Sequence, residues 1–274
     1  MNEDHRSAGS PASAQVMATR VDTGDLDRFT DRIAAWAARR ESRVVCAVNV
    51  HSVVLASRDV RIAAALNEAD ANLPDGWPVA WTVGKLTGRP QARVSGPDLM
   101  WSLAGRAARD GIGLYLYGSR PEVLLALRDR LQSAFPELRI AGMRSPPFRE
   151  PVPAADGLDI ESLHASGAGL VLVGLGCPKQ ELWMAAHRGR IRAVMVGVGA
   201  AFDFHAGTVR RAPGWMQRSG MEWLFRLSRE PRRLAGRYVD TNPRFLLWLG
   251  SRLLTGRLRP GSRPSGKSGD PQGR

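Results

Sequence analysis

Short apolar runs alternate with amphipathic stretches along most of the chain. The runs have the length of buried β-strands and lie at residues 44–50, 113–117, 139–142, 170–174 and 194–198. Apolar residues at helical spacing predict helices at residues 23–40, 77–86, 95–111, 121–135, 156–166 and 179–187. Uninterrupted apolar strands joined by helices are what a parallel sheet covered on both faces requires. The pattern therefore predicts an α/β catalytic domain over residues 23–204, built on an open, doubly wound, mainly parallel sheet.

The two ends of the chain lack this alternation. Residues 1–22 are small and polar without periodicity, which predicts a disordered leader. Residues 205–256 predict a basic helical appendage, because they mix bulky apolar residues with arginine in three segments. Each segment begins with a proline, a favourable first helical residue, and these are Pro213, Pro231 and Pro243. Glycine, serine, proline and arginine alternate over residues 257–274, which predicts a disordered tail.

Basic charge is concentrated in the last quarter of the chain. The 274 residues carry a formal charge of +13, and residues 205–274 hold 15 of the 39 basic residues but 4 of the 26 acidic ones. Arginine-rich segments bind nucleic acid, anionic lipid headgroups or an anionic substrate, and composition alone leaves these three open. A solvated tail explains residues 258–274 but not residues 210–254, where aromatic residues are interleaved with the arginines.

Composition also limits the class of protein. No apolar run reaches the roughly 20 residues that a helix needs to cross a bilayer. The 2 cysteines, Cys46 and Cys177, lie inside apolar segments, so we expect a reducing cytoplasm and neither a disulfide framework nor a zinc knuckle. The Asp-x-Asp pair Asp25 and Asp27 begins the first predicted helix, where carboxylates suit the helix dipole. The histidines show no ligand spacing, and the sequence predicts no metal site and no cofactor.

In a doubly wound sheet the ligand lies at the carboxyl ends of the strands, so the candidate residues are those just after each apolar run. They are Asn49, Asp75, Gly76, Gly118, Ser119, residues 174–180 and residues 199–203. Asp75 falls in a Pro-Asp-Gly turn, where aspartate is common for conformational reasons alone. Its place at the sheet crevice nevertheless suits a carboxylate that accepts a proton from an attacking hydroxyl. Arg93, in a loop, would neutralise a phosphate or form a surface ion pair.

Two glycine-rich turns are candidate phosphate sites. Residues 174–181 join a predicted strand to a helix amino-terminus, and their glycines permit close backbone approach to an anion. This turn is not the dinucleotide fingerprint, because Lys179 occupies the third glycine position, and it lacks the ending of a P-loop. A tight turn without a ligand explains it equally well. Gly118 and Ser119 form a second turn of this kind, and two such turns in one sheet suggest a nucleotide diphosphate.

Motifs at these turns and in the appendage together resemble one family. They include residues 49–52 (NVHS), 73–76 (LPDG), 93–99 (RVSGPDL), 117–119 (YGS), 145–148 (SPPF), 173–183 (VGLGCPKQELW), 199–207 (GAAFDFHAG), 211–216 (RAPGWM), 220–227 (GMEWLFRL) and 230–233 (EPRR). Over residues 23–249 the chain resembles the WecG/TagA/CpsF glycosyltransferases. The resemblance implies an inverting, metal-independent transfer of a hexose-type sugar from UDP to a polyprenyl-diphosphate-linked saccharide. The sugar would be similar to N-acetylmannosamine, its uronic acid, or glucose.

The resemblance also implies roles for individual residues. Asp75 is similar to the general base, Arg93 to a contact for the donor phosphates or leaving group, and Asn49 and Gln180 to substrate-binding side chains. The other substrate-binding residues expected on these motifs are Gly76, Gly118, Ser119, Gly174, Gly176, Pro178, Asp203, Arg226, Arg232 and Arg233. Ala47 stands where family members often have threonine, so any hydroxyl contact from that position is absent.

The resemblance implies that the appendage closes over the site and brings the enzyme to the membrane. Arg226, Arg232, Arg233 and Arg237 fall at roughly helical spacing and would face a diphosphate. Bulky apolar residues among these arginines are typical of a helix that lies at a membrane surface. The expected location is therefore peripheral, on the cytoplasmic face of the cell membrane.

Two other functions each explain part of the sequence. An RNA-binding or nucleotide-binding α/β protein without transferase activity explains the arginine-rich and aromatic appendage but not the motifs after the strands. A nicotinamide-dependent oxidoreductase explains the α/β pattern but needs the missing glycine fingerprint. A sugar-nucleotide transferase explains both halves. The expected partners are a UDP-sugar donor, a polyprenyl-diphosphate-linked acceptor and an anionic membrane surface, without nucleic acid.

Overall fold

A computed structural model describes residues 12–146 and 157–258, apart from the side chains of Leu158 and Arg218. The strands are β1 (Ser13–Val16), β2 (Thr19–Asp22), β3 (Arg43–Val48), β4 (Ala71–Pro74), β5 (Leu114–Gly118), β6 (Ile140–Arg144), β7 (Leu170–Gly174) and β8 (Val194–Gly197). The helices are α1 (Leu26–Ala38), α2 (Val50–Ala56), α3 (Val60–Asn67), α4 (Trp77–Thr87), α5 (Gly96–Asp110), α6 (Pro121–Ala134), α7 (Gly157–Ser166), α8 (Lys179–His187), α9 (Ala201–Ala206), α10 (Gly214–Arg218), α11 (Glu222–Arg229) and α12 (Pro231–Leu254).

Six strands form one parallel sheet in the order β4-β3-β8-β7-β5-β6. Successive side chains of a strand point to opposite faces, so both faces of a covered sheet must be apolar. In β5, Leu114 and Leu116 pack into one core layer, and Tyr115 and Tyr117 pack into the other. The predicted α/β class, with a parallel sheet and a C-terminal helical appendage, is confirmed.

Helices leave neighbouring strands toward opposite faces of the sheet. Phe202 of α9, which follows β8, packs into the same core layer as α1, α5 and α6. Val53 of α2 and Trp183 of α8, which follow the two strands flanking β8, pack into the opposite layer. Diverging connections open a crevice at the carboxyl ends of the strands, which is where doubly wound sheets bind ligands.

The appendage, residues 205–256, folds back onto this end of the sheet. Phe245 and Leu234 of α12 are buried, and Phe245 joins the core layer that contains α2. An ion pair between Arg58 and Asp240, at 2.9 Å, also ties α12 to the segment after α2. Among the described residues no helix is both long and apolar enough to span a bilayer.

The prediction of a disordered leader is wrong for residues 13–22. These residues form an antiparallel hairpin in which Val16 and Val21 are fully buried. The backbone N–H of Asn72 donates to the Asp22 carboxylate at 2.7 Å, so the hairpin covers the outer edge of β4. The apolar residues of the hairpin strands that face the core are Ala14 and Val16 in β1 and Val21 in β2. These are too few for a recognisable alternation, so tertiary contact decides the fold there.

Three smaller predictions also need correction. Helix α1 begins after Asp25, whose side chain accepts a hydrogen bond from the backbone N–H of Arg28, rather than at residue 23. Strand β4 is not among the predicted strands, because four residues are too short for a periodic signal. Pro243 does not begin a helix but lies inside α12. The packing of buried Thr241 and Phe245 on either side keeps the helix continuous despite the missing N–H.

Some predictions fall outside the described residues. They are the disordered leader over residues 1–11, the disordered tail over residues 259–274, and the second half of the SPPF motif at residues 147–148.

Candidate active site

A cavity of about 690 Å³ lies at the carboxyl ends of the strands, between the sheet and the appendage. Its walls come from the turns after β3, β4, β7 and β8 on one side, and from α11 and α12 on the other. The predicted site residues that line it are Asn49, Asp75, Gly76, Arg93, Gly174, Gly176, Gln180, Asp203, Arg226 and Arg233. The sheet turns and the appendage therefore meet in one space of the size that a nucleotide-sugar requires.

Asp75 lies at the carboxyl end of β4, next to the end of β3. Its backbone N–H donates to the carbonyl of Val48 at 2.8 Å, which continues the ladder between the two strands past the last paired residue. Gly76 then turns the chain into α4 with φ of +88°, a conformation that favours glycine. Asn49, at the end of β3, places its side-chain amide nitrogen 3.5 Å from the Asp75 carboxylate. The turn thus fixes a carboxylate at the floor of the cavity.

Burial raises the pKa of Asp75 above the usual aspartate value, and the neighbouring charges act in both directions. The guanidinium groups of Arg93 and Arg226 and the Asn49 amide stabilise the carboxylate, whereas Glu222 adds a repulsive negative charge. Desolvation is the largest of these effects. A general base gains strength when its pKa moves toward the working pH, so this environment suits proton abstraction.

Arg93 joins the sheet wall to the appendage. Its guanidinium donates to the carboxylate of Glu222 in α11 at 2.6 Å and lies 3.8 Å from the carboxylate of Asp98. Asp98 is also held by Arg211 at 2.6 Å and by the hydroxyl of Ser95 at 2.5 Å. Arg93 is therefore oriented by two carboxylates, and one of them comes from the appendage.

Sequence reasoning did not single out Glu222, because a lone glutamate at the start of a helix is usually a favourable helix-dipole residue.

The turn after β7 brings the main chain of residues 174–177 to the wall of the cavity. A side chain at Gly174 would collide with the ring of Phe202, since a Cβ there would lie 2.7 Å from Cδ2. Gly176 has φ of +80° and leads into α8. Pro178 caps that helix but is not among the residues that line the cavity. The turn is thus built for close approach, and its lining residues are Gly174, Leu175, Gly176, Cys177 and Gln180.

The side chain of Gln180 is buried, and only its amide nitrogen makes a hydrogen bond among the described residues. Its side-chain nitrogen donates to the carboxylate of Glu181 at 2.9 Å, and its side-chain oxygen has no hydrogen-bond partner among the described residues. Burial raises the pKa of Glu181. An unpaired buried amide oxygen in a cavity wall costs free energy, so a ligand donor placed there would be stabilised. Gln180 therefore suits substrate binding, as the sequence predicts.

The turn after β5 is not part of the cavity lining. Gly118 has φ of +113°, and a Cβ there would lie 2.7 Å from the carbonyl carbon of Gly174, so this glycine permits two strand ends to approach each other. The backbone N–H of Ser119 donates to the Gly174 carbonyl at 3.1 Å, and its own carbonyl accepts from Ser145. The structure gives Gly118 and Ser119 a role in shaping the neighbouring turn, and a contact with substrate at this position stays a prediction.

Of the four appendage arginines that are predicted to face a diphosphate, three line the cavity. Arg226, Arg233 and Arg237 line it, whereas Arg232 is exposed and does not. The Nε atoms of Arg226 and Arg237 are buried without a hydrogen-bond partner among the described residues. Burial lowers the pKa of Arg237, and its Nη2 lies 3.5 Å from the Asn49 side-chain oxygen. Buried guanidinium donors without partners are suited to an anionic ligand such as a diphosphate.

His51 also lines the cavity, and sequence reasoning did not select it. Burial and the charge of Arg237 lower the pKa of His51 to about 4, so its ring is neutral at physiological pH. Its Nδ1 is buried without a partner among the described residues. The available signal was a histidine at the second position of α2, two residues after a candidate asparagine.

The described residues contain no group of three or more histidine, cysteine, aspartate or glutamate side chains placed to hold a metal ion. Asp25 caps α1, as predicted, and Asp27 lies in the first turn of that helix. Metal independence stays a prediction.

The chain was compared with known protein families. The model described as "Glycosyl transferase WecG/TagA/CpsF family" matches residues 14–259. The match begins inside the hairpin and includes both the sheet and all helices of the appendage. The chain belongs to this family, whose members are glycosyltransferases of cell-surface polysaccharide synthesis.

Proposed function

Because the chain belongs to a glycosyltransferase family, we propose that it transfers a hexose-type sugar from UDP to a polyprenyl-diphosphate-linked saccharide, with inversion and without a metal ion. The sugar is N-acetylmannosamine-like, its uronic acid, or glucose. The observation that carries the proposal is Asp75, a carboxylate with a raised pKa on the cavity floor, faced by arginines from both walls.

In the proposed reaction an acceptor hydroxyl attacks the anomeric carbon of the donor sugar. Asp75 accepts the hydroxyl proton as the new carbon–oxygen bond forms. The bond between the anomeric carbon and the phosphate oxygen breaks, and UDP leaves with the bonding electron pair. A single displacement of this kind inverts the anomeric configuration.

The departing diphosphate needs positive charge. Arg226 and Arg237 offer buried donors from the appendage, and Arg93 offers a guanidinium from the sheet wall. Guanidinium groups bind phosphate oxygens in bidentate geometry and are worth more in a site that excludes water. In this proposal they take the place that a divalent cation has in many sugar-nucleotide enzymes.

An exposed apolar stripe on α12 supports a peripheral location at the cytoplasmic face of the membrane. Its members recur at seven-residue spacing and remain largely exposed: Val239, Leu246, Leu247, Leu253 and Leu254. A helix with such a stripe among arginines can lie in the headgroup region of an anionic bilayer. The lipid-linked acceptor would then enter the cavity from the membrane surface.

The proposal is tested by incubating the purified protein with a panel of UDP-sugars and a short-chain polyprenyl-diphosphate saccharide. We expect one product heavier by one hexose-type residue in mass spectrometry, an inverted anomeric configuration in NMR, and unchanged turnover in chelator. A retained configuration, or activity restored only by magnesium or manganese, would contradict the mechanism. Tight binding of RNA without any sugar transfer would favour the alternative of a nucleic-acid-binding protein.

A further inference from the structure

The aromatic residues that line the cavity include two tryptophans and a tyrosine that the proposed chemistry does not use. Trp77 lies at the start of α4, Trp223 in α11 and Tyr238 in α12. Trp77 is 50% exposed and Trp223 is 44% exposed. Leaving so much indole surface in water costs free energy that a ligand would recover on covering it.

The rings are held in place without a ligand. Trp77 stacks on Trp81, with ring centroids 6.0 Å apart and planes 24° apart. The backbone of the appendage lies against Trp77, because a Cβ on Gly220 would lie 3.3 Å from its Cβ and Cγ atoms. Trp223 meets Tyr238 edge to face at 5.9 Å. Rings fixed in this way lose little conformational entropy on binding.

Trp77 follows Asp75 by two residues, with only Gly76 between them. Both residues line the same cavity. In the proposed reaction the acceptor hydroxyl must reach the Asp75 carboxylate to give up its proton, which brings the sugar ring that carries this hydroxyl to the part of the cavity wall that includes Trp77. Pyranose rings present a face of C–H groups, which packs on the electron-rich face of an aromatic ring.

We propose that Trp77, together with Trp223, forms the subsite for the sugar ring of the acceptor. This proposal rests on the proposed function and adds to it the residues that hold the acceptor's sugar ring. The competing occupant of an exposed tryptophan is a membrane headgroup layer. Trp215 in α10, which is 58% exposed and does not line the cavity, fits that occupant and provides a matched control.

The test compares Trp77→Ala, Trp77→Phe, Trp223→Ala and Trp215→Ala with a soluble short-chain acceptor in the absence of lipid. We expect the acceptor KM to rise about tenfold in Trp77→Ala, since an aromatic contact contributes on that order. Trp77→Phe should recover most of this loss, and Trp215→Ala should match the wild type. The UDP affinity should be unchanged in all four, which also shows that each variant is folded.

Direct binding separates this proposal from the proposed function. Without donor, titration of the full chain with the same acceptor should quench tryptophan fluorescence saturably, and Trp77→Phe should remove much of that signal. If acceptor binding depends on Trp77 but no UDP-sugar supports transfer, the subsite is supported and the proposed transferase function is rejected. Transfer with an unchanged acceptor KM in Trp77→Ala would overturn the subsite.

Discussion

The two walls of the cavity differ in the way they are built. The sheet wall consists of turns fixed by strand pairing and by glycines, and it presents the carboxylate of Asp75 and the amides of Asn49 and Gln180. The appendage wall consists of amphipathic helices that keep much of their apolar surface exposed, and it presents arginines and aromatic rings such as Arg237 and Trp223.

This difference suggests a division of labour between the walls. Proton abstraction needs a group held rigidly in a buried position, which a strand end provides. Binding of a diphosphate and of a membrane surface needs cations and apolar side chains, which a helix can present on separate faces. Arg93 and Glu222 cross the boundary with a 2.6 Å ion pair, so the two walls are electrostatically connected.

The strongest test of the sheet wall is Asp75→Asn. We expect kcat to fall by about 10²- to 10⁴-fold, because the general base is lost, with little change in UDP affinity. The folded-state pKa of Asp75 is raised, so its contribution to stability is present at low pH and is lost as pH rises through that pKa. At neutral pH the neutral asparagine should therefore keep or raise Tm. Turnover above about a tenth of wild type would make Asp75 a turn residue only.

The strongest test of the appendage wall is Arg237→Ala, with Arg232→Ala as its control. Arg237 is half-buried and lines the cavity, whereas Arg232 is exposed outside it. Hydrogen bonds to charged groups contribute roughly 1.5–3 kcal/mol, so we expect UDP affinity to fall by about 10- to 100-fold in the first variant. Calorimetric titration with UDP measures both. Equal UDP affinities in the two variants would show that Arg237 does not bind the diphosphate.

Vesicle binding tests the outer face of the appendage. Leu247 is 75% exposed on α12, and Val60 is 81% exposed on the sheet domain. Burying one leucine in the headgroup layer contributes roughly 1.5–3 kcal/mol, so Leu247→Glu should lower flotation with phosphatidylglycerol vesicles by about tenfold or more. Val60→Glu should have no effect, and raising the salt concentration should weaken the wild type. Similar losses in both variants would show that the apolar stripe does not meet the membrane.

A smaller effect is expected where the walls meet. Glu222→Gln removes a negative charge near Asp75 and leaves Arg93 freer to stabilise the Asp75 carboxylate, so both changes lower the pKa of Asp75. Arg211, Arg226 and Arg237 also face this carboxylate and remain. The acid limb of the kcat profile should therefore move to lower pH, and the plateau should fall a few-fold because the base is weaker. Glu222→Asp should restore the wild-type limb, and an unmoved limb in Glu222→Gln would show that the walls act independently.

Much of the sheet domain was predictable, and the hairpin was not. Strand β7 and helix α8 begin and end where the sequence predicts, because long apolar runs and caps are local signals. The hairpin at residues 13–22 has no such signal and is ordered by contacts with β4 and α4.

The sequence by itself determined the α/β class and singled out Asp75, Asn49 and Gln180 as candidate site residues, because ligands of such folds bind where the apolar strands end. Only the tertiary structure decided which arginines face the cavity, that Glu222 pairs with Arg93, and that Gly118 serves backbone packing. These outcomes depend on how the appendage lies on the sheet and how strand ends approach each other. Such contacts join residues far apart in sequence, and no local period encodes them.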